Sequence, residues 1–151
     1  MSPEFARSAA LITEVMPPAA DWWIIGSAAL ALSGIDLDPR DIDVFAASEV
    51  IEAVRLRLGA VARPSASDRF RSTPYFQVTP EGGLEIDFMG GLEVRPAGEW
   101  VHLQVESRVR VAVDGVTLFV PSLTEQARIL HLFGRPKDLV RAALITGRSP
   151  G

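Results

Sequence analysis

Apolar side chains recur along this chain with two spacings, one typical of helices and one typical of strands. Helical spacing over residues 3–16 predicts a first helix, with Ser2 as its cap and Pro3 in its first turn. Later patterns predict helices over 28–33, 48–58, 122–133 and 136–145, and strands over 22–25, 41–45, 75–79, 84–89, 109–113 and 116–120. This order indicates an α+β (mixed α/β) fold in which helices flank a central mixed sheet.

Serine residues mark the expected starts of three helices. We expect Ser27 to cap the short helix that follows Gly26, and Ser48 to cap the next helix. Ser122 and Glu125 have the spacing of a capping box, which predicts reciprocal hydrogen bonds with the backbone at the start of a later helix. These positions therefore define where strands give way to helices.

Turns and loops separate the remaining elements. Asp114-Gly115 lies between two alternating runs and predicts a β-hairpin, whereas the serine-, proline- and arginine-rich residues 63–74 predict a loop. A chain of 151 residues has the length of one domain. We expect that domain to span 1–151, with a core over 22–120 and C-terminal helices over 122–146.

The composition limits the chemistry that the chain can perform. Hydrophobic residues make up 48% of it, which is enough for a core and argues against disorder. The chain has no cysteine, so a disulfide framework, a thiolate zinc site and a thiol nucleophile are excluded. It has only two histidines, which argues against a histidine-based metal site as well. Any metal ion would be held by oxygen ligands, as magnesium, manganese and calcium are.

Charge and hydropathy indicate where the protein acts. The net charge of -4 lacks the basic surface that DNA binding requires, and it argues mildly against RNA. The longest apolar stretch, 22–35, is too short to span a bilayer and contains glycine and serine. The N-terminus lacks the basic flank and apolar segment of a signal peptide. We expect a cytoplasmic protein with no membrane partner.

The most informative residues are three aspartates on two predicted strands. Residues two apart on a strand point to the same face, so Asp41 and Asp43 project together while the apolar residues between them enter the core. Asp87 lies on a later strand between two apolar residues. If the two strands are neighbours in the sheet, the three carboxylates converge.

Convergent carboxylates need a cation. Two carboxylates about 5 Å apart repel each other by roughly 3 kcal/mol at an effective dielectric constant near 20. Divalent ions reverse that sign, and a pair of them can hold the attacking and leaving oxygens of a phosphoryl transfer. The Gly26-Ser27 turn adds backbone N–H groups and a hydroxyl, which can bind a phosphate.

These residues resemble the nucleotidyltransferase superfamily, which has the DNA-polymerase-beta-like fold. The family pattern is a strand, Gly-Ser, a short helix, Asp-x-Asp and a third acid, and Gly26, Ser27, Asp41, Asp43 and Asp87 match it. The resemblance implies that Asp41 and Asp43 bind two Mg²⁺ ions, or Mn²⁺ in their place. It also implies that Asp87 binds one ion and helps to activate the acceptor hydroxyl, while Gly26 and Ser27 hold a nucleoside triphosphate.

The C-terminal part resembles small stand-alone bacterial members of the same superfamily. The matching segments are Val-Pro-Ser-Leu at 120–123 and Gly-Arg-Pro-Lys-Asp at 134–138, so the likeness covers about 22–145. Relatives often carry a lysine in the helix before the second segment, where this chain has Arg128. Arg40 and Lys137 are the basic residues that we expect to bind the triphosphate, with Arg128 as an alternative.

Other residues have structural as well as functional interpretations. Asp-x-Asp on its own is usually a solvated strand face, and the nearby Gly-Ser turn and third acid favour a site here. Glu85 shares the face of Asp87 and either joins the cluster or faces solvent. Arg69 and Arg71 fit a solvated loop better than a phosphate site. Trp22-Trp23 and His131 are expected to be packing or structural residues.

The predicted function is the transfer of a nucleoside monophosphate, AMP from ATP in the first instance, to a hydroxyl group with release of pyrophosphate. The acceptor is left open among a small molecule such as an antibiotic, a protein side chain and an RNA end. Two alternatives stand beside this enzyme. One is an antitoxin or interaction module that pairs with a toxin protein, and the other is a domain that binds a nucleotide without turnover.

Overall fold

The computed structural model describes residues 1–65 and 67–147. The helices are α1 (Pro3–Val15), α2 (Gly26–Leu32), α3 (Ser48–Leu58), α4 (Leu123–Phe133) and α5 (Pro136–Thr146). The strands are β1 (Trp22–Ile25), β2 (Asp41–Ala46), β3 (Phe70–Arg71), β4 (Tyr75–Val78), β5 (Glu85–Gly90), β6 (Glu93–Val94), β7 (Val101–His102), β8 (Val109–Val113) and β9 (Val116–Val120). The predicted α+β fold is confirmed.

A four-stranded mixed sheet with the order β1-β2-β5-β4 forms the centre of the fold. The outer pairs β1–β2 and β5–β4 are antiparallel, whereas β2 and β5 are parallel. The parallel register sets Asp43 opposite Asp87 and Asp41 opposite Glu85. All four acidic residues therefore lie on adjacent strands at the same end of the sheet.

One face of this sheet packs into the main hydrophobic core. Ile42 and Val44 of β2 and Ile86 and Phe88 of β5 are all 0% exposed, and they pack against buried residues of α1 and α3. Full burial of each such side chain is worth about 1.5–3 kcal/mol. Because strand residues alternate between faces, this burial forces the neighbouring aspartates onto the opposite face.

The opposite face is only partly covered. A second apolar cluster joins Ile25 and Phe45 of the sheet to Leu92, Val94 and Phe133. These partners come from the small sheet β3-β6-β7, the segment beside it and helix α4. The acidic end of the sheet lies outside this cluster and stays open as one wall of a cleft.

Two of the four predicted serine caps are wrong, whereas Ser2 caps α1 as expected by accepting a hydrogen bond from Phe5 N at 3.1 Å. Helix α2 begins at Gly26 and α3 begins at Ser48, so Ser27 and Ser48 are the second and first residues of their helices. The residues before the two helices, Ile25 and Ala47, make no side-chain capping bond. Each helix follows its strand with little or no connecting segment, which leaves no position for a separate polar cap.

Only one of the two hydrogen bonds of the predicted α4 capping box forms. Ser122 Oγ accepts a hydrogen bond from Glu125 N at 3.2 Å, as expected. The carboxylate of Glu125 instead accepts hydrogen bonds from Glu106 N and Ser107 N, at 2.9 and 2.8 Å, and from the Ser107 hydroxyl. These donors lower the Glu125 pKa to about 2 against the opposing effect of its burial. Tertiary donors therefore replace the local partner.

The strands were predicted incompletely. Residues 63–74 contain β3 as well as loop, and β3 pairs with β6, which in turn pairs with β7. Two-residue strands carry too short an alternation to be detected. The hairpin β8–β9 forms as predicted, with Asp114 and Gly115 at φ 47° and 83°, but it is a separate sheet. No helix within 1–65 or 67–147 has both the length and the apolarity to cross a bilayer.

A buried serine attaches helix α1 to the strand that carries Asp87. Ser8 is 0% exposed, donates to Leu84 O at 2.7 Å and accepts from Leu84 N at 2.8 Å. We expect Ser8→Ala to lower the free energy of unfolding by about 1–3 kcal/mol, because both backbone groups of Leu84 lose their partner. Urea denaturation followed by circular dichroism measures the change.

Thr13→Ala is the matched control on the same helix, since Thr13 Oγ1 donates only to Ala10 O of that helix. We expect its effect to stay within about 0.5 kcal/mol. Equal effects of the Ser8 and Thr13 substitutions would contradict the structural role of Ser8.

Candidate active site

Three aspartates form one cluster at the end of the central sheet. Each of Asp41, Asp43 and Asp87 offers a carboxylate oxygen, and these oxygens lie within 4.8 Å of one another. Asp87 is buried, at 7% exposed, and the other two are half-buried. The condition stated from the sequence, that the two acidic strands be neighbours, is met by the parallel pairing of β2 and β5.

The crowding of this cluster is most evident at Asp43. Its pKa is raised to about 8, first by burial and then by the negative charges of Asp41 and Asp87 and a hydrogen bond shared with Asp87. Arg135 acts in the opposite direction. Without a cation, the neutral form of Asp43 is therefore favoured far more than in an ordinary aspartate.

The outer member of the cluster has basic neighbours. Burial raises the pKa of Asp41, and the charge of Asp87 raises it further. Lys137 and Arg141 lower it. These two residues are one turn apart on α5, so they share a helix face that points toward the acidic cluster. The cleft thus places positive charge across from negative charge.

Asp87 is held by two donors from strand β4. Tyr75 Oη donates to Asp87 Oδ1 at 2.9 Å, and Gln77 Nε2 donates to the same oxygen at 2.8 Å. Burial raises the pKa of Tyr75, and its hydrogen bond to Asp87 and the nearby carboxylates raise it further. The phenol is therefore a proton donor over the whole physiological pH range.

Gly26 allows the strand-to-helix turn to approach the cluster. Its φ of +72° lies in the left-handed region, and a β-carbon there would be only 3.0 Å from Asp43 Oδ2. Ile25, the residue before it, pairs with Asp43 across β1 and β2. The backbone conformation thus favours glycine, and a side chain here would also crowd the Asp43 carboxylate. Ser27 follows directly and lines the same cleft.

The cluster opens into a cleft of about 580 Å³. Four basic residues, from the segment before β2 and from the α4–α5 region, also line it and are called the basic wall below: Arg40, Arg135, Lys137 and Arg141. Apolar side chains, including those of Leu37, Phe70, Met89, Leu92 and Phe133, line the remainder. A pocket of this volume with a few convergent polar groups has the character of a small-molecule site.

Every residue that the sequence assigned to the site lines this cleft: Gly26, Ser27, Arg40, Asp41, Asp43, Asp87 and Lys137. Their individual roles stay predictions. Sequence reasoning missed Tyr75, Arg141 and Arg135. Lys137 and Arg141 are four residues apart, and this helical spacing could have indicated Arg141 as a second basic residue at the site. Tyr75 could be found only once β4 was known to pair with β5.

Several other basic residues have structural partners. Arg128, the alternative triphosphate ligand, donates to Gln104 O at 2.6 Å and to Glu125 at 3.0 Å, and it is not among the cleft-lining residues. Arg69 donates to Phe133 O at 3.1 Å. Arg71 pairs with Glu93 and lies over the Trp100 ring, so neither loop arginine is a free phosphate ligand.

The remaining ambiguous residues are also resolved by their surroundings. Trp22 is 4% exposed and Trp23 stacks on Phe45, so both are packing residues as predicted. His131 is exposed on α4 and is not among the cleft-lining residues. Glu85 is half-buried beside the cluster, where burial, Asp87 and Asp41 all raise its pKa.

The donor set of the cluster fits a divalent cation. Its ligands are carboxylate oxygens, which magnesium and manganese prefer. Burial first, and then the neighbouring carboxylates, raise the pKa values of Asp41 and Asp43, so the ionised cluster is unfavourable without a cation. A divalent cation would supply the missing positive charge.

No protein-family model and no curated protein matches this chain. Among solved structures, this chain is similar to TM1012 of Thermotoga maritima, which is described as a candidate nucleotidyltransferase. The TM-score is 0.78 at 20% sequence identity, and the match covers 98% of this chain and 96% of the TM1012 chain. The lincosamide antibiotic adenylyltransferase LnuA, solved with lincomycin bound, has a TM-score of 0.55 at 12% identity and covers 93% and 92%. The antibiotic-resistance factor ANT(2'')-Ia has a TM-score of 0.54 at 15% identity and covers 91% and 82%.

The acidic cluster should make the metal-free protein less stable as pH rises. The folded-state pKa of Asp43, about 8, exceeds its ordinary value of 3.8, so the folded state binds more protons between these values. Stability should therefore fall from pH 4 to pH 8 in EDTA. Asp43→Asn should raise the melting temperature, with the largest gain near pH 8 and little gain near pH 4, as scanning calorimetry can measure.

Asp36→Asn is the matched control, because Asp36 is an exposed aspartate outside the cluster. Its pH profile should follow that of the wild type. A lower or unchanged melting temperature of Asp43→Asn at pH 8 would argue against a crowded carboxylate cluster.

Proposed function

We propose that this chain, which has the nucleotidyltransferase fold, transfers a nucleoside monophosphate from a triphosphate to a hydroxyl group of an acceptor. ATP is the proposed donor, and pyrophosphate is the second product. The observation that carries the proposal is the cluster of Asp41, Asp43 and Asp87 beside the Gly26 turn in a cleft with a basic wall. The fold that it shares with the lincosamide antibiotic adenylyltransferase LnuA supports it.

The metal site is the aspartate cluster itself. Asp41, Asp43 and Asp87 would hold Mg²⁺, or Mn²⁺ in its place, through their carboxylate oxygens. When bound, the cation supplies the positive charge that stabilises a phosphoryl group during its transfer. Asp43 must lose its proton to act as a ligand, so cation binding should release protons at neutral pH.

The triphosphate would be bound between the turn and the basic wall. At Gly26 the absence of a side chain leaves the backbone accessible, and Ser27 adds a hydroxyl that lines the cleft. Arg40, Lys137 and Arg141, which line the same cleft, would provide positive charge. Charged donors of this kind orient phosphate oxygens and stabilise the charge on them.

Asp87 is the residue proposed to act on the acceptor. Its carboxylate lies in the cleft on the strand next to the metal-binding pair, so it can bind one cation and also receive the proton of the acceptor hydroxyl. Two donors fix its position while leaving part of the carboxylate to the cleft. Catalysis would then consist mainly of positioning and charge stabilisation.

A small hydroxylated molecule is the proposed acceptor class. The cleft volume of about 580 Å³ is typical of small-molecule sites. Its apolar wall, which includes Phe70, Leu92 and Phe133, can pack against the non-polar part of such a molecule. The lincomycin-bound structure of LnuA is a precedent for a small acceptor on this fold. A protein side chain and an RNA end are the other acceptors to be screened.

Isothermal titration with Mg²⁺ and each nucleoside triphosphate tests the site directly. Wild-type protein should bind Mg-ATP, and Asp41→Asn and Asp43→Asn should each weaken binding at least about tenfold, or ~1.4 kcal/mol, because each removes a ligand charge. EDTA should have the same effect as the substitutions. Asp36→Asn should bind as the wild type does.

Equal affinity in the wild type and the aspartate variants would refute the proposed metal–nucleotide site. Pyrophosphate release during incubation with Mg-ATP and a panel of hydroxylated antibiotics then tests turnover. Binding without release on small-molecule, protein and RNA acceptors would instead support a nucleotide-binding domain without turnover.

The basic residues of the cleft lead to a second prediction, in which affinity for Mg-ATP falls while affinity for Mn²⁺ alone does not. The Lys137→Met, Arg141→Met double variant should bind Mg-ATP about tenfold more weakly, or ~1.4 kcal/mol, because it loses two phosphate-facing charges. Its affinity for Mn²⁺ alone should be equal or higher, since both residues oppose a cation at Asp41. Titration calorimetry measures both affinities.

Arg57→Met controls for the loss of positive charge, because Arg57 is exposed on α3, on the other side of the sheet. It should leave both affinities unchanged. A parallel loss of Mn²⁺ and ATP affinity in the double variant would indicate general damage to the site and contradict the assigned role.

A further inference from the structure

Two polar side chains on β4 bind the same oxygen atom of Asp87. Tyr75 Oη and Gln77 Nε2 approach Asp87 Oδ1 at 2.9 and 2.8 Å. Both bonds come from side chains of the same strand, and both end on Oδ1 rather than Oδ2. The two bonds are thus directed at one end of the side chain, and they distinguish its two oxygens.

The sheet register makes this arrangement inherent to the fold. Gln77 lies directly opposite Asp87 in the antiparallel pair β4–β5, and Tyr75 lies two residues away on the same face. Phe76, between them, is 0% exposed and stacks on Phe88 in the core, with ring centroids 4.8 Å apart. The buried phenylalanine therefore fixes both donors on the side of the sheet that carries the aspartates.

A carboxylate needs such contacts to keep one orientation. Rotation about the terminal bond of an aspartate is soft, so the two oxygens exchange easily unless hydrogen bonds distinguish them. Groups that hydrogen-bond to a metal-binding side chain orient it, and their loss typically costs about 10–100-fold in metal affinity. Tyr75 and Gln77 meet this requirement by geometry, because both bonds end on Oδ1.

We propose that Tyr75 and Gln77 are positioning residues, which hold Asp87 Oδ1 and thereby present Oδ2 to the cation and the acceptor hydroxyl. The inference rests on the proposed function, since it assigns to these two side chains the orientation of a carboxylate in that same site. Neither residue is required to touch the metal, the nucleotide or the acceptor. Asp87 would act on the ligands, and the pair would act through Asp87.

A Mn²⁺ titration of the protein, followed by electron paramagnetic resonance, tests the inference without an acceptor. Tyr75→Phe and Gln77→Leu each remove a donor and keep most of the side-chain volume. Each should weaken Mn²⁺ binding, and the double variant should weaken it by about 10–100-fold. Thr79→Val is the control, because Thr79 is an exposed polar residue just beyond the same strand.

A double-mutant cycle with Asp87→Ala separates positioning from general damage. In the Asp87→Ala background, Tyr75→Phe and Gln77→Leu should cause little further loss of Mn²⁺ affinity, since their partner is gone. A merely structural contribution would give the same loss in both backgrounds. Circular dichroism on every variant checks that it is folded, so that the Mn²⁺ affinities of folded proteins are compared.

The outcomes separate this inference from the function on which it rests. If the wild type binds Mn²⁺ and the double variant binds it equally well, or the cycle is additive, the positioning role is refuted while the metal site stands. If the wild type does not bind Mn²⁺ at all, the proposed function fails, and the positioning role fails with it.

Discussion

The parallel pairing of β2 with β5 is the constraint on which the site depends. It brings oxygens of three carboxyl groups within 4.8 Å of one another, and electrostatics opposes the ionisation of all three. The pairing is maintained by the other face of the same strands, where Ile42, Val44, Ile86 and Phe88 are fully buried. Hydrophobic burial on one face therefore forces charge repulsion on the other, and alternation along a strand makes the two inseparable.

The cost of this arrangement is concentrated at Asp43, whose pKa is raised first by burial and then by the charges of Asp41 and Asp87. A site stabilised by protein groups would have an arginine or lysine in contact with the aspartates. Among the described residues, no arginine or lysine forms an ion pair with these aspartates, although Arg40, Lys137 and Arg141 line the same cleft. The strain of the metal-free state is thus consistent with a site made for a cation and an anionic ligand.

Contacts from other parts of the fold surround the aspartate cluster. Gly26 lets the turn approach Asp43, Ser8 attaches α1 to the start of β5, and Tyr75 and Gln77 hold Asp87. Each of these contacts joins residues from different elements. These contacts surround the residues that carry the carboxylates, and the proposed chemistry depends on the distance and orientation of those groups.

The amino-acid sequence by itself determined the main helices and strands, the alternation that puts Asp41 and Asp43 on one face, and the Gly-Ser turn, because all of these depend on residues close together in the chain. Tertiary structure alone decided that β2 and β5 are neighbours, that Glu125 binds Ser107 rather than its own helix start, and that Tyr75 and Arg141 face the aspartates. The physical reason is range: periodicity and capping act within a few residues, whereas strand order and cross-cleft charge are set by which apolar faces pack together.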